Sequence, residues 1–527
     1  MTTKPKVLVT EALGPAGLAY LRQHADVDAH DLLAPELLPG LMGSYDAVII
    51  RSAHRLTREL LTDRPRLRVV ARAGAGVDNV DLVAATEFGI AVINAPGANA
   101  IAAAEHTFGL LLSAVRNIPW GNAHVRGGGW DRQAFVGQQL SGKTLGIIGL
   151  GRVGREVARL AHGFNMSPYA YDPYLSDDVF RTHGVTRIRD LDDLLAQSAV
   201  LTIHTPKTGP HLDRAALEKL PRGAILLNVA RGGLVDETAL SELLQSGHLT
   251  AAGLDVFMQE PPDPALALMG NAHVVMTPHL GGSTHEALAN VGVMTAAGVI
   301  EALNGGTPQN IVNVPIPPLE TQRFRALDRL SEVVGRIFAT TNEPKDGTMI
   351  LTVAGNIPDA ATQWLRHAVL AAVLNQRLDD RVNAVNALLK AEAQGIQLLL
   401  DEKLNSTTPP SLTLRFEGHP KSKTTAYLAG DFVYLSKIRD ISLDLLWPDR
   451  ALVTQHKDAP GVVGKVGTLV GDYGINIANL HLGRRQEGEE AIMVLALDAD
   501  IPRELVDDLM RVESMDQVYV FKSSADA

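Results

Sequence analysis

The stretch TLGIIGLGRVGREVARL, residues 144–160, decides the fold. Thr144 to Ile148 is a short apolar run of strand character, Gly149, Gly151 and Gly154 follow as G-x-G-x-x-G, and a helix-forming segment begins at once. In that setting each glycine has its own physical task. Gly149 permits the tight turn, Gly151 lets a pyrophosphate approach the backbone, and Gly154 lets helix and strand pack closely. The amides at the helix start then face the phosphates. An acid, Asp172, closes the next strand-like segment 18 residues beyond Gly154. A carboxylate there holds ribose hydroxyls and repels a 2′-phosphate, and Pro173 and Tyr174 follow it rather than an arginine. These residues predict an NAD site in preference to NADP; the competing reading is a strand–turn–helix without a ligand.

Outward from this stretch, six strand candidates run in order: 144–149, 168–172, 199–204, 224–229, 251–256 and 273–277. Helical segments separate most of them, which is the inventory of a doubly wound dinucleotide fold. A second α/β set precedes it, with strands expected at 6–10, 47–50, 69–71 and 91–94. The runs lack strict alternation and so predict strands buried on both faces of parallel sheets. Residues 101–115 form a helix candidate expected to join the two lobes and to contribute to a dimer contact.

After Asn313 the proline-rich VPIPPLE reads as a linker. Residues 320–448 mix helices (361–374, 382–392) with strands (348–353, 411–416, 431–435). A last unit from Ala451 reads as strand, helix, two strands, helix, strand, a small βαββαβ arrangement.

Length and composition bound the function. At about 150 residues per domain, 527 residues imply three to four domains. The net charge of -11 argues against a nucleic-acid partner. There is no cysteine, hence no disulfide and no thiolate site. The run 287–300 is apolar but short and rich in alanine and glycine, so a packed helix is expected rather than a membrane span. The N-terminus lacks the features of a signal peptide, and a cytoplasmic location is expected. No HExxH or similar signature occurs, and no metal is assigned.

Taking a hydride from a hydroxyl-bearing carbon needs a base for the proton and a cation to polarise the developing carbonyl. Three strand ends offer these: Arg231 in NVARGG, Glu260 in LDVFMQEPP and His279 in TPHLGGST. Carboxyl ends of neighbouring parallel strands meet in the cofactor crevice, so the three can converge. His279 would accept the proton and Glu260 would orient the imidazole and stabilise its charged form. Singly, each also reads as an ordinary turn or cap residue; the order of all three after the glycine turn is what is specific.

At these motifs the sequence resembles the D-isomer-specific 2-hydroxyacid dehydrogenases over roughly residues 6–313. The resemblance implies two Rossmann-like α/β lobes: a discontinuous substrate lobe (1–97 with 284–313) and an inserted NAD lobe (98–283). It implies catalytic Arg231, Glu260 and His279. It also implies cofactor contacts from Arg152, Val153, Asp172, Thr205, Val229, Ala230, Arg231, Asp255, His279 and Gly282, besides Gly149, Gly151 and Gly154. IIRSAHRLT and VVARAGAGVDNVD are similar to the phosphoglycerate-oxidising branch, where Arg51, Ser52, Arg72 and the backbone at Gly74 face the substrate. Arg132 in GGGWDRQAF is similar to an arginine that reaches a neighbouring subunit's pocket. Several arginines suit a doubly charged phosphate.

Residues 451–527 resemble an ACT domain, with Asp458 and Asn476 where serine-sensing versions contact their ligand; His456 stands where an aromatic hydroxyl is expected. Residues 316–450 resemble an intervening, allosteric-type domain. The resemblance implies NAD-dependent oxidation of 3-phosphoglycerate in serine biosynthesis, L-serine as an inhibitor, and a homotetramer or a dimer. The alternatives are a dehydrogenase for another D-2-hydroxyacid, such as glycerate or 2-hydroxyglutarate, and a non-catalytic NAD-sensing scaffold like the corepressors of this fold.

Overall fold

A computed structural model describes residues 4–317, 319–342, 347–378 and 382–522. The expected linker and the limits 1–97, 316–450 and 451–527 include positions outside these residues.

The first sheet contains β1 (Lys6–Val9), β2 (Asp26–Ala29), β3 (Ala47–Ile50), β4 (Val69–Arg72) and β5 (Ala91–Ile93), all parallel, in the order β2-β1-β3-β4-β5. β3 reads AVII and is buried throughout, as a strand covered on both faces must be. β2, which reads DVDA, escapes a hydrophobic-run criterion because it is an edge strand and only half-buried. The helix His285–Leu303 packs along Pro15–His24 at one point of backbone contact: a Cβ on Gly17 would lie 2.7 Å from the Gly292 carbonyl carbon. Val291 and Val299 of that helix share a core with Val7, Ile49 and Ala71. The helix has the length and apolarity of a membrane span, but its buried face is packed against the first sheet, as expected for the run 287–300.

The second sheet contains β6 (Thr144–Ile148), β7 (Ser167–Tyr171), β8 (Thr186–Arg187), β9 (Val200–Ile203), β10 (Ala224–Asn228), β11 (Leu249–Leu254) and β12 (Val274–Met276). All pairs are parallel, in the order β12-β11-β10-β9-β6-β7-β8. The six expected strands are present, and the two-residue β8 extends the edge. Strand order reverses on either side of β6, which opens a crevice at its carboxyl end. The helix Ala100–Val115 lies against β10, β11 and the helix Arg152–Gly163, burying Ala104, Phe108 and Leu111.

The third sheet contains β13 (Gly347–Gly355), β14 (Ile396–Leu404), β15 (Ser411–Phe416), β16 (His419–Ala429), β17 (Phe432–Ile438) and β18 (Ile441–Leu446), in the order β14-β13-β15-β16-β17-β18. Only β13 and β14 pair in parallel. The helices Thr321–Thr341 and Asp359–Leu374 pack on each other, and Phe324, Phe338 and Trp364 from them enter the sheet's core. The helix expected from Val382 starts only at Ala387. Asn383 Oδ1 accepts the Val385 amide (3.0 Å) and Asn386 Oδ1 accepts the Asn383 amide (2.9 Å). Such side-chain turns hold the backbone out of the helix.

The fourth sheet contains β19 (Arg450–Lys457), β20 (Ile477–Arg484), β21 (Glu490–Leu497) and β22 (Met515–Lys522) in the antiparallel order β20-β21-β19-β22. With the helices Val462–Asp472 and Arg503–Met510 it completes the expected βαββαβ unit. Its residues Val453, Ile492 and Phe521 continue the core of the third sheet.

Candidate active site between the two α/β lobes

The turn after β6 has the geometry its glycines require. Gly149 has φ +90°, and a Cβ there would lie 2.8 Å from the His204 carbonyl oxygen. A Cβ on Gly154 would strike the Gly149 carbonyl, so the helix can sit on the strand only with glycine there. A Cβ on Gly151 would meet nothing within 4 Å, so that backbone faces open space. Asp172 follows β7, and its two oxygens accept the amides of Leu150 and Tyr174, each at 3.0 Å. This ties the acid to the glycine turn. Thr205 Oγ1 is buried without a hydrogen-bond partner among the described residues. A buried orphan hydroxyl costs about 1–3 kcal/mol, and a dinucleotide lying across Gly151 would supply its partner. Val229 and Ala230 follow β10, where Asn228 fixes the turn by donating to the Arg231 carbonyl (2.9 Å) and accepting the Ala230 amide (3.1 Å). Arg152 is exposed, with its stem beside Gly97, and Val153 packs in the lobe's core. These residues fit NAD.

On the adjoining strand ends the expected carboxylate–imidazole pair is formed. Glu260 Oε2 lies 2.8 Å from His279 Nδ1, and Glu260 Oε1 accepts the Phe257 amide at 3.1 Å. Glu260 is thus fixed at one oxygen while the other orients the ring. His279 Nε2 makes no hydrogen bond among the described residues and remains available for a proton. The His279 backbone has φ 55°, a left-handed conformation uncommon for a side-chain-bearing residue. Its amide donates to the Asp255 carbonyl oxygen at 2.9 Å.

Asp255 is buried and accepts Thr277 Oγ1–H (2.6 Å), Leu280 N–H (2.7 Å) and Gly281 N–H (2.7 Å), with His106 Nε2 at 3.2 Å. Burial alone would raise this carboxyl, but the bonds from His106, Thr277 and the two amides hold it below its ordinary range. As placed, it orders the turn that carries His279 and Gly282. Gly282 lies against the Asn99 side chain.

The first lobe brings a cationic group opposite these strand ends. Arg231 Nε pairs with Asp78 Oδ2 at 3.1 Å, linking the NAD lobe to the AGAGVDN loop. A Cβ on Gly76 would meet the Arg231 guanidinium, and one on Gly74 would meet that of Arg72, so this loop is glycine-bearing because two arginines lie on it. Arg72 Nε is buried without a partner among the described residues. Burial, then the positive charges of Arg231 and Arg51, lower its pKa against the opposing pull of Asp78 and Glu11. Arg51, Arg72 and Arg231 therefore form one cluster.

Glu11 and His54 underlie it, and the sequence reading did not single them out. Glu11 accepts the amides of Arg51 (2.8 Å), Ser52 (3.1 Å) and Ala53, while buried His54 bridges Glu11 (3.1 Å) and the Leu33 carbonyl (3.0 Å). Burial would raise the Glu11 carboxyl; the His54 bond and the amides bring it below the ordinary range. The Ser52 amide is thereby consumed, and only its exposed side chain remains for a ligand. The signal available in the sequence was an acid and a histidine placed directly after two strands, β1 and β3.

Arg132 is not brought to this cluster. It is exposed on the loop before β6, beside Trp130 (80% exposed). Asp458 and Asn476 do not meet within one chain either. Asp458 accepts Arg484 Nη1–H (2.7 Å) at the end of β20, whereas Asn476 immediately precedes its start and donates to Asp498 (2.6 Å). They therefore lie at opposite ends of β20, whose seven steps of about 3.3 Å span roughly 23 Å. His456 is buried, with Nδ1 3.2 Å from the Ala491 carbonyl oxygen.

Comparison with known proteins agrees with this geometry. The family described as D-isomer specific 2-hydroxyacid dehydrogenase, NAD binding domain, matches residues 108–281, and the ACT domain matches 450–514. The D-3-phosphoglycerate dehydrogenase of Methanocaldococcus jannaschii is 34% identical over 521 residues, covering 98% of this chain and 99% of its own. That of Mycobacterium bovis is 36% identical over 506 residues, covering 94% and 95%. Among solved structures, apo D-lactate dehydrogenase from Escherichia coli covers 58% of this chain and 99% of its own, at 29% identity and a TM-score of 0.52. Near-complete two-way coverage by relatives that share both the catalytic lobes and the appended domains places this chain among the D-isomer-specific 2-hydroxyacid dehydrogenases, in the family of D-3-phosphoglycerate dehydrogenases.

Proposed function

We propose that the chain oxidises 3-phospho-D-glycerate at C2 to 3-phosphooxypyruvate, the entry step of serine synthesis, with His279 as base, Glu260 as its orienting partner and Arg231 as the polarising cation. When bound, NAD accepts the hydride. The chain's own residues do the rest. Arg231 holds the substrate carboxylate and polarises the C2 oxygen as it becomes a carbonyl. His279 Nε2 takes the hydroxyl proton, and the imidazolium so formed is held by the Glu260 carboxylate at Nδ1. The lobes 1–97 with 284–313 and 98–283 close on the substrate, with the Gly74 backbone and Ser52 beside it.

The observation that carries the reading is the unpartnered, buried Arg72 Nε in a cluster with Arg51 and Arg231. Three guanidiniums gathered from three strand ends exceed what a single carboxylate needs and suit a second, phosphate anion. Turnover of 3-phosphoglycerate and D-glycerate with NAD tests it. A kcat/KM at least 100-fold higher for the phosphorylated acid is expected, and equal values would refute the phosphate reading.

Arg132 and Trp130 are exposed, which supports a homo-oligomer, at least a dimer, in which Arg132 completes the neighbouring subunit's pocket. The placement of Asp458 and Asn476 at opposite ends of β20 supports an L-serine site built from two ACT units, Asp458 from one and Asn476 from the other, in a tetramer. Arg484 pairs with Asp458, so serine's ammonium has to displace that guanidinium.

A further inference from the structure

A cavity of about 380 Å³ lies at the seam between the first lobe and the domain built on β13–β18. Arg68 and the Gly305–Gly306 turn form one wall, and the helices Thr321–Thr341 and Asp359–Leu374 form the other. Asp328 and Glu332 lie one helical turn apart and both line it. The cationic side chains there are already engaged. Arg68 donates to the Leu303 carbonyl, and Arg336 pairs with Glu332 (3.0 Å) and donates to the Lys522 carbonyl (2.7 Å).

Asp328 has no ion pair among the described residues. Its carboxyl is pushed up to about 7, by burial first and then by the charge of Glu332, with the facing Trp364 N–H opposing the shift. Trp364 is 1% exposed, and its Nε1 is directed at that carboxylate without closing a hydrogen bond. Ala368 and Ala371 supply an apolar floor. The cavity is therefore large enough for a small molecule, apolar on one side, and short of one positive charge at Asp328. A metal ion is a poor occupant, since among the described residues no group of three His, Cys, Asp or Glu gathers there. An anion would be repelled by the carboxylate pair.

We propose that this seam cavity binds a small organic cation of the primary-ammonium class, with its ammonium on the Asp328 carboxylate and its carbon arm against Ala368, Ala371 and the indole. A ligand so placed touches both the catalytic lobe and the appended domain and favours their docked arrangement.

The test uses the full chain, n-butylammonium chloride as probe, and sodium chloride and n-butanol as controls, at pH 8. Saturation-transfer NMR and thermal melting are the readouts. Saturable binding with a rise in Tm is expected for butylammonium and not for either control. Asp328→Asn should weaken binding at least 10-fold. Ala371→Leu, which fills the floor and keeps the charge, should do the same and covers the case of a misfolded Asp328 variant. No saturable binding to the parent chain overturns the proposal, and so does binding that persists in both variants, the mark of a nonspecific surface effect.

Discussion

Replacing Asp328 by asparagine should stabilise the protein at alkaline pH, the reverse of what loss of a buried charge does when that charge is paired. The Asp328 carboxyl is raised from 3.8 to about 7 by burial and by Glu332. The folded chain therefore holds this proton more tightly than the unfolded chain. Stability contributed at this site falls as pH climbs from about 4 to about 7, and is level above that. A shift of roughly three pH units at 1.36 kcal/mol each sets the cost of the ionised group at about 4 kcal/mol, an upper bound because the side chain retains some exposure to the cavity. The same linkage leaves about 1 kcal/mol at pH 4.5. Asparagine keeps the shape and an acceptor for the Trp364 N–H but never ionises. Hydrogen–deuterium exchange of amides in Thr321–Thr341, corrected for intrinsic rates, reads the difference locally. Asp328→Asn should be more protected than the parent at pH 8, by up to about 1,000-fold, and by less than about 10-fold at pH 4.5. Equal protection at both pH values, or a less protected variant at pH 8, would refute the burial argument.

Three further outcomes are expected. His279→Ala should lower kcat by about 100- to 10,000-fold, the usual range for a lost general base, while quenching of intrinsic fluorescence by NADH reports unchanged cofactor affinity. Glu11→Ala leaves the amides of Arg51, Ser52 and Ala53 without their acceptor; KM for 3-phosphoglycerate should rise more than 10-fold while the NAD dissociation constant stays put. Because the Glu11 carboxyl is depressed in the folded state, the stability it adds is present above its unfolded pKa and is lost as pH falls, so parent and variant should melt alike in acid. Asp458→Ala should leave turnover intact and remove inhibition by serine; undiminished inhibition in a steady-state assay would rule out the paired-unit site.

The parts of this site legible in the sequence are those that backbone geometry forces. Gly149 needs a positive φ and Gly154 has no room for a Cβ, which ties both glycines to the end of β6. Asp172, Arg231, Glu260 and His279 follow strands, and strand ends in a parallel sheet converge whatever the intervening loops do. What stayed hidden depends on distance across the fold. Glu11 and His54 follow different strands 43 residues apart, so that nothing beyond their strand-end positions pairs them, and the partner of Arg231 is Asp78, 153 residues away. Edge strands such as β2 and β8 are too short or too polar to stand out. The pairing of Asn383 with Asn386 delayed a helix that composition alone starts at Val382.

Arg231 and Arg72 are held in contrasting ways. Arg231 is held by Asp78 in a pair that is 28% and 58% exposed on its two sides. A pair so exposed is worth about 1 kcal/mol or less, so an incoming carboxylate displaces Asp78 at little cost and finds the guanidinium already aimed. Arg72 has no such placeholder, and its lowered pKa, from burial and from two neighbouring cations, reports a charge waiting for a counterion. Supplying an anion there relieves repulsion that the folded protein otherwise carries. On the proposed assignment, the phosphate gains most at Arg72, and Arg231 is left to polarise the C2 oxygen as charge moves. An Asp78→Asn variant separates the two roles: it should raise KM by loosening Arg231 before the substrate binds, with kcat little changed, while leaving the preference for phosphorylated over unphosphorylated acid in kcat/KM unchanged. Loss of that preference would mean that Arg231, not Arg72, reads the phosphate.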